Sequence, residues 1–264
     1  MFLSLMQNEW TKAYYRNKFL IFGIVMLFLI AAGAGLSYFV TNYDFGGETL
    51  PSLSALEFAI GSLDSLAMIV LVFSTIVLIS SVTSEYKSGT MKQLLIRPIS
   101  RTNILLSKWI TTFLISIFFL IILATVSYLI GSIIYENETS FINAISTLGL
   151  WILYNIPTFF FYLTFGLCIA VATRNSALSI SSVIVLYFIG TTITLFLLRF
   201  DWVRYLITAN LTLQEYSSND YLNFGGEPIM GGMSLGFSLA VIAVYSIILL
   251  VIAHLVFKKK DVLS

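Results

Sequence analysis

Residues 84–108, SEYKSGTMKQLLIRPISRTNILLSK, concentrate charged side chains within an otherwise apolar chain. The sequence is 58% hydrophobic and 10% charged, yet this stretch holds five of its 14 basic residues and one acid between two long apolar runs. The five are Lys87, Lys92, Arg97, Arg101 and Lys108. Such cations can form ion pairs with a partner protein, or they can simply hold the stretch at the cytoplasmic face of a membrane. On charge alone, the second interpretation is favoured.

Residue types that perform catalysis or bind metal are scarce. The sequence has no G-x-x-x-x-G-K-[ST] phosphate-binding loop, and His254 is its only histidine, which excludes H-E-x-x-H and any pair of histidine ligands. Cys168 is the only cysteine, so no intrachain disulfide forms, and it is interpreted as a small packing residue. We therefore expect no catalytic residue, no metal site and no cofactor in this chain.

The elements that must position the charged stretch are long apolar segments. Several exceed 18 residues, which is typical of a polytopic membrane protein. The predicted spans are 19–40, 60–82, 104–134, 147–172, 176–198 and 234–256. The third is the longest, so its start is expected to project into the cytosol. We expect an all-α membrane protein in which residues 1–264 form a single transmembrane domain.

Residues 2–18 carry apolar side chains at helical spacing, with polar and basic side chains elsewhere on the helical wheel. This pattern predicts an amphipathic helix that lies in the membrane interface. A signal peptide is the competing interpretation, but the apolar run that follows, 19–40, is too long for one.

The distribution of basic residues predicts the orientation. If the N-terminus is cytoplasmic, 12 of the 14 cations lie on the inner side, and only Arg199 and Arg204 lie outside. This asymmetry follows the positive-inside rule and predicts that both termini are cytoplasmic.

A short helix is predicted inside the charged stretch. Gly89 is expected to end the helix of the second span, and Thr90 to cap a new one. The apolar side chains of the new helix share one face: Met91, Leu94 and Leu95. Pro98 must end it, because proline lacks an amide and disfavours helix at the preceding residue.

Further features are predicted on the outer side of the membrane. Residues 199–233 mix aromatic and apolar residues with charges, which predicts short interfacial or re-entrant helices before the last span. Asp64 is the acid deepest in a predicted span; it faces a hydrated vestibule or lies among the headgroups, and the second alternative is favoured. Four side chains of the fifth span have two alternative interpretations: they line a translocation path, or they take part in ordinary helix packing. They are Tyr187, Phe188, Thr191 and Phe196.

The order of residues in the charged stretch resembles the signature of the permeases of type-2 (ABC-2) ABC exporters. The matching residues are Glu85, Tyr86, Gly89, Thr90, Leu94, Leu95, Pro98, Ser100, Arg101 and Lys108. The resemblance also covers the N-terminal helix, the six spans, the interrupted outer segment and the terminal FKKKD, although only 84–108 is specific.

The resemblance implies that residues 84–101 form a coupling helix that docks on a separate ATP-binding subunit. The residues implied to couple are Glu85, Tyr86, Gly89, Thr90, Met91, Leu94, Leu95, Pro98 and Arg101. Physically, Met91 and Leu94 would enter an apolar groove, while charged residues such as Glu85 would pair at its rim.

The resemblance further implies a permease subunit of a bacterial cytoplasmic-membrane exporter. Two ATP-binding subunits would carry ATP and Mg²⁺, a second permease would complete a homodimer or a paralogous heterodimer, and no nucleic acid would be bound. The cargo would be amphipathic: a peptide antibiotic or bacteriocin, a drug or a lipid-like molecule. The alternative is a channel or membrane scaffold without nucleotide-driven transport.

Overall fold

The computed structural model describes residues 2–15, 17–42, 53–87, 101–223 and 231–259, and for residues 87, 101 and 259 only the backbone. Within these ranges every regular element is a helix. The α-helices are α1 (Phe2–Tyr15), α2 (Lys18–Asn42), α3 (Ala55–Lys87), α4 (Arg101–Ile134), α5 (Phe141–Thr173), α6 (Ser176–Leu197), α7 (Asp220–Asn223) and α8 (Leu235–Lys259). Between α6 and α7 the chain forms three short 3₁₀ helices: Asp201–Tyr205, Ile207–Asn210 and Leu213–Tyr216.

Six of these helices are long and apolar enough to cross a membrane: α2, α3, α4, α5, α6 and α8. They correspond one to one with the six predicted spans, so an all-helical fold with six helices of spanning length is confirmed for the described residues. A sufficiently long apolar run has few alternatives to a helix in lipid, because its backbone must satisfy its own hydrogen bonds.

The helices α3 and α5 begin several residues before the predicted spans, because helix caps extend both helices. Ser54 and Glu57 form a capping box: Ser54 Oγ accepts a hydrogen bond from the Glu57 amide at 3.2 Å, and Glu57 Oε2 accepts one from the Ser54 amide at 2.8 Å. Ser140 Oγ accepts a hydrogen bond from the Asn143 amide at the start of α5. These polar residues precede the apolar runs, so hydrophobicity alone does not reveal them.

The helices α3 and α4 form the centre of the bundle and pack along each other, with α5 against α3. Gly131 of α4 allows a close approach, because a Cβ there would lie 2.8 Å from the carbonyl oxygen of Ala55. On the α2 side, the ring of Phe22 stacks on Phe73 at 3.9 Å between centroids, and Phe119 meets both edge-on.

Three spans lie at the periphery of the bundle. Within their apolar windows, 22% of α2 and 17% of both α6 and α8 is buried, against 56% of α3 and of α5. Exposed apolar side chains on a membrane helix face lipid or another protein chain. The single chain therefore presents α2, α6 and α8 to its surroundings.

The segment between α6 and α7 is anchored to the bundle, although its helices are short. Val203 and Leu213 are buried, and the Asn210 side-chain amide donates hydrogen bonds to the carbonyls of Arg204 and Leu206 at 2.9 and 2.7 Å. The segment packs against α5, α6 and α8. Short helices were predicted here, and their depth in the membrane stays a prediction.

Candidate functional site

An ion cluster lies beside both ends of the predicted coupling segment. α3 ends at Lys87 and α4 begins at Arg101, so the chain enters and leaves this segment at one end of the bundle, the loop end. Four charged side chains from three helices meet there: Glu9 and Lys12 of α1, Glu85 of α3 and Lys108 of α4.

Both lysines contact both carboxylates. Lys108 Nζ lies 2.8 Å from Glu85 Oε1 and 2.9 Å from Glu9 Oε2. Lys12 Nζ lies 2.9 Å from Glu9 Oε1 and 3.2 Å from Glu85 Oε1. Two positive and two negative charges thus balance one another, which allows these charged groups to be buried away from water.

The cluster is buried to different depths. The Lys108 side chain is 2% exposed and those of Glu85 and Glu9 are 11% and 12% exposed, whereas Lys12 is 42% exposed. Glu85 Oε2 is buried and accepts no hydrogen bond within the described part of the chain. Lys108 is therefore the central cation, and α1 is bound to α3 and α4 through it.

The cluster shifts the pKa values of the two α1 residues. Burial would raise the pKa of the Glu9 carboxyl, but Lys108 and Lys12 oppose that effect and hold the pKa below its usual range. Burial would lower the pKa of Lys12, and Glu9 and Glu85 outweigh it, so the pKa is raised. Glu9 and Lys12 are therefore both charged at neutral pH.

Tyr86 connects the end of α3 to two further helices. The guanidinium of Arg174 lies 4.9 Å from the centroid of the Tyr86 ring, within the range of a cation–π contact. Arg174 has a left-handed backbone (φ 54°) at the end of α5, just before α6. The ring of Phe257 in α8 meets Tyr86 edge-on at 6.4 Å. If this end of α3 moves, it will therefore push directly against residues of α5 and α8.

The structure places only part of the predicted coupling set. Glu85 and Tyr86 lie in the last turn of α3, and Arg101 begins α4. The remaining predicted residues lie outside the described residues: Gly89, Thr90, Met91, Leu94, Leu95 and Pro98. Lys12 and Lys108 bind the Glu85 carboxylate within this chain, and its place at the rim of a partner groove stays a prediction.

A cavity of about 390 Å³ lies at the opposite end of the bundle, the cavity end. Asp64 lines it, and because Asp64 precedes Glu85 by 21 residues on α3, the two carboxylates are about 31 Å apart along one helix axis. The described lining comes from α3, α5, α6, α7 and the 3₁₀ segment: Asp64, Ala67, Met68, Leu71, Trp151, Tyr154, Asn155, Thr158, Phe159, Tyr162, Tyr187, Thr191, Thr208, Leu211, Thr212, Leu213, Gln214, Glu215, Leu222 and Asn223.

Asp64 is held on the cavity wall. Trp151 Nε1 donates a hydrogen bond to Asp64 Oδ1 at 2.8 Å, and the Gln214 side chain interacts with the same carboxylate. Asp64 therefore faces a cavity, and the choice between a hydrated vestibule and the headgroup region stays a prediction. No sequence pattern pairs residue 64 with residue 151, because the contact depends on how α3 packs against α5.

The four predicted path residues of α6 divide between two faces. Tyr187 and Thr191 line the cavity, and the ring of Tyr187 lies 5.6 Å from that of Tyr162. Phe188 and Phe196 are 57% and 80% exposed on the outside of the chain. A role in transport for any of the four stays a prediction.

The single cysteine and the single histidine make ordinary packing and hydrogen-bonding contacts. Cys168 is buried beside Leu163 and Leu167, as expected of a packing residue. His254 Nδ1 lies 3.4 Å from Thr102 Oγ1, which joins α8 to the start of α4. Among the described residues, no three His, Cys, Asp or Glu side chains come close enough to hold a metal ion.

The sequence GMSLG, residues 232–236, matches the G-x-S-x-G pattern of serine hydrolases. The structure gives it another role. Ser234 precedes α8, and its Oγ accepts a hydrogen bond from the Phe237 amide at 3.3 Å, as a helix cap does. The lone His254 lies 20 residues along the same helix, about 30 Å away, so it cannot act as a base on Ser234.

Comparison with known proteins gives the family. A family model described as "Protein of unknown function (DUF2705)" matches residues 19–263. The chain belongs to the DUF2705 family. It is also similar to "Uncharacterized protein YhcI" of Bacillus subtilis strain 168, with 32% identity over 206 residues, or 72% of this chain and 64% of YhcI.

A second relative is named as a membrane protein. The chain is 29% identical over 197 residues to "Uncharacterized membrane protein YdbK" of the same strain, which covers 71% of this chain and 76% of YdbK. Together with the six apolar helices, this identifies the chain as a membrane protein with several transmembrane helices. The chain spans less than two thirds of YhcI.

Proposed function

We propose that this protein is the membrane-spanning permease subunit of an ATP-driven ABC exporter that moves an amphipathic substrate out of the cytoplasm or the inner leaflet. The observation that carries the proposal is the ion cluster at the loop end. It binds the two helices that flank the predicted coupling segment to each other and to α1. A coupling segment transmits motion only if its ends are held firmly, and this cluster supplies that restraint.

The central helix offers a route from the coupling segment to the cavity. α3 is continuous from Ala55 to Lys87, so Glu85 at one end and Asp64 near the other belong to one rigid element. Coupling between distant sites is carried by rigid elements and packed contacts of this kind. A displacement of the coupling segment would tilt α3 and change the cavity wall.

The surface of the chain suits the partners of an exporter. The exposed apolar faces of α2, α6 and α8 provide area for lipid and for a second permease, as a homodimer or a paralogous heterodimer. Two ATP-binding subunits would dock on residues 84–101 and would carry the ATP and Mg²⁺. α1 would lie in the cytoplasmic interface, since Leu3, Tyr14 and Tyr15 are exposed along it. We place both termini in the cytoplasm of a bacterial cell.

The test is co-purification with an ATP-binding protein encoded beside this one, followed by ATP turnover of the complex in nanodiscs. Leu94→Asp places a charge on the apolar face of the predicted helix, and Leu94→Met is the matched conservative variant. We expect wild type and Leu94→Met to retain the ATPase, and Leu94→Asp to lose it or lose most of the stimulated turnover. Glu85 is a poor choice for this test, because its replacement would also break the ion cluster.

Two results would contradict the proposal. If wild type binds no ATPase, a channel or a membrane scaffold becomes the better interpretation. If Leu94→Asp binds and turns over ATP like wild type, the charged stretch is only a topology signal.

A further inference from the structure

We propose that the cavity at the cavity end binds an organic cation with an apolar body, through Asp64 and the aromatic residues around it. The assignment of this ligand as exported cargo rests on the proposed function; the binding of the cation does not, because it needs only the residues of this cavity.

The charge of the cavity wall favours a positively charged ligand. Asp64 and Glu215 are among its lining residues, and no lysine, arginine or histidine occurs among the described residues that line it. Asp64 also forms no ion pair within the described part of the chain. An anion would meet two carboxylates in a site with low-dielectric walls, whereas a cation would be attracted.

The aromatic side chains favour a cation with an apolar body. Trp151, Tyr154, Phe159, Tyr162 and Tyr187 all line the cavity. Aromatic faces attract ammonium and guanidinium groups by cation–π interaction and also pack against hydrocarbon. A site for a small inorganic cation would instead gather several oxygen ligands around one point. The described residues contain no such group of acidic or histidine ligands.

The hydrogen-bonding groups on the cavity wall favour a ligand that donates hydrogen bonds. Trp151 occupies Asp64 Oδ1 and orients the carboxylate on the cavity wall. An ionised carboxylate accepts hydrogen bonds and cannot donate them, so this wall favours a ligand that carries N–H donors.

The size of the cavity suits a small organic molecule. Its volume of about 390 Å³ lies within the range of roughly 300 to 1,000 Å³ found for ligand sites. The walls combine apolar area with a few convergent polar groups, which is the usual composition of such sites. The polar groups lie on α3, α5, the 3₁₀ segment and α7, so a bound ligand would join the central helices to the peripheral segment.

The test uses three probes that share an indole ring and differ in charge: tryptamine, a primary ammonium at neutral pH; tryptophol, which is neutral; and indoleacetate, an anion. Binding to the full-length protein in nanodiscs, without any ATPase, is measured by saturation-transfer NMR and calorimetry, with empty nanodiscs as the reference. We expect tryptamine to bind about tenfold or more tightly than tryptophol, as a charge-assisted hydrogen bond would allow, and indoleacetate to bind least.

Asp64→Asn is the decisive variant, because asparagine can still accept the Trp151 hydrogen bond while the charge is lost. We expect it to weaken tryptamine binding about tenfold and to leave tryptophol unchanged. Asp201→Asn is the matched control: Asp201 carries a carboxylate that is 98% exposed, precedes the lining segment and does not line the cavity, so its loss should leave all three affinities unchanged.

The ranking of the probes on wild type tests the proposal even if Asp64→Asn fails to fold. The proposal is overturned if no probe binds wild type, if tryptophol matches tryptamine, or if Asp64→Asn retains the full preference for tryptamine. These results do not depend on an ATPase. Tryptamine binding with the expected ranking but without an associated ATPase would uphold the cavity site and contradict the exporter.

Discussion

Lys108 illustrates how one buried charge can organise several helices. Its side chain is 2% exposed, yet its ammonium group lies within 2.9 Å of carboxylates from both α1 and α3. Burying a charge is costly unless it is paired and hydrogen-bonded, so the loss of this one cation leaves two carboxylates with a single, partly exposed lysine. In the sequence, Lys108 is one of five clustered cations and matches the exporter signature, but only the structure shows that it is buried.

At the residue scale, we expect Lys108→Met to lower the free energy of unfolding by about 3–5 kcal/mol, the range for removing one partner from a buried ion pair. Titration with a denaturing detergent, followed by circular dichroism, measures the change. Lys12→Met is the matched control. It removes a cation from the same cluster, but its side chain is 42% exposed, so we expect a loss of about 1 kcal/mol or less. Equal effects of the two variants would show that burial does not set the strength of this cluster.

At the element scale, α1 depends on ionic contacts for its attachment more than the spans do. The spans are long apolar helices that pack through their sides, whereas α1 has one buried residue, Ala13, among its 14. Its other anchor is Trp10, whose ring meets Phe19 and Phe118 edge-on at 5.7 and 6.0 Å. The ion pairs of Glu9 and Lys12 therefore contribute a large share of its attachment, and pH should control it.

We expect α1 to detach as the pH falls into the acid range. The folded pKa of Glu9 is below its ordinary value of 4.5, so its contribution is present above that value and is lost as the pH falls through the lowered pKa. The folded pKa of Lys12 is above its ordinary value of 10.5, so its contribution is present below that value and is lost as the pH rises through the raised pKa. Attachment is therefore strongest between these limits.

A nitroxide label at Ser4→Cys, in a Cys168→Ser background, measures this detachment as a rise in mobility. Glu9→Gln is the control: it cannot ionise, so the label should already be more mobile at neutral pH and should respond less to acid. A wild-type label whose mobility is the same at neutral and acid pH would contradict an ionic attachment of α1.

At the scale of the whole molecule, the two ends of the bundle are chemically different. The loop end holds the ion cluster and α1, while the cavity end holds Asp64 and the connection from α4 to α5. The Ala55 amide donates a hydrogen bond to the Glu136 carbonyl at 3.0 Å, which places the start of α3 beside that connection. Because α3 and α4 run the full length between the ends, opposite ends should face opposite sides of the membrane.

We expect the loop end to face the cytoplasm, as the positive-inside rule predicts. In a Cys168→Ser background, a membrane-impermeant maleimide should label Asn137→Cys in intact cells and Ser4→Cys only after permeabilisation. Asn137 is exposed at the cavity end and Ser4 is exposed on α1, so both positions are accessible to the reagent. Labelling of Ser4→Cys alone in intact cells would mean that the orientation is inverted.

The helical content and the number of spans were predictable from the sequence, because each apolar run forms a helix in lipid for local reasons. The starts of α3 and α5 were less predictable, since Ser54, Glu57 and Ser140 act through caps outside the apolar runs. The charged stretch was recognised for its residue order, although most of its proposed coupling residues lie outside the described ranges.

The sites themselves depend on tertiary structure. Glu9, Glu85 and Lys108 come from three helices, and Asp64 and Trp151 are 87 residues apart, so only helix packing brings them together. The sequence by itself determined which segments form helices long enough to cross a membrane, because backbone hydrogen bonding in lipid is satisfied within each segment. The tertiary structure alone decided which charges are buried and which carboxylate faces a cavity, because burial and pairing are properties of contacts between segments.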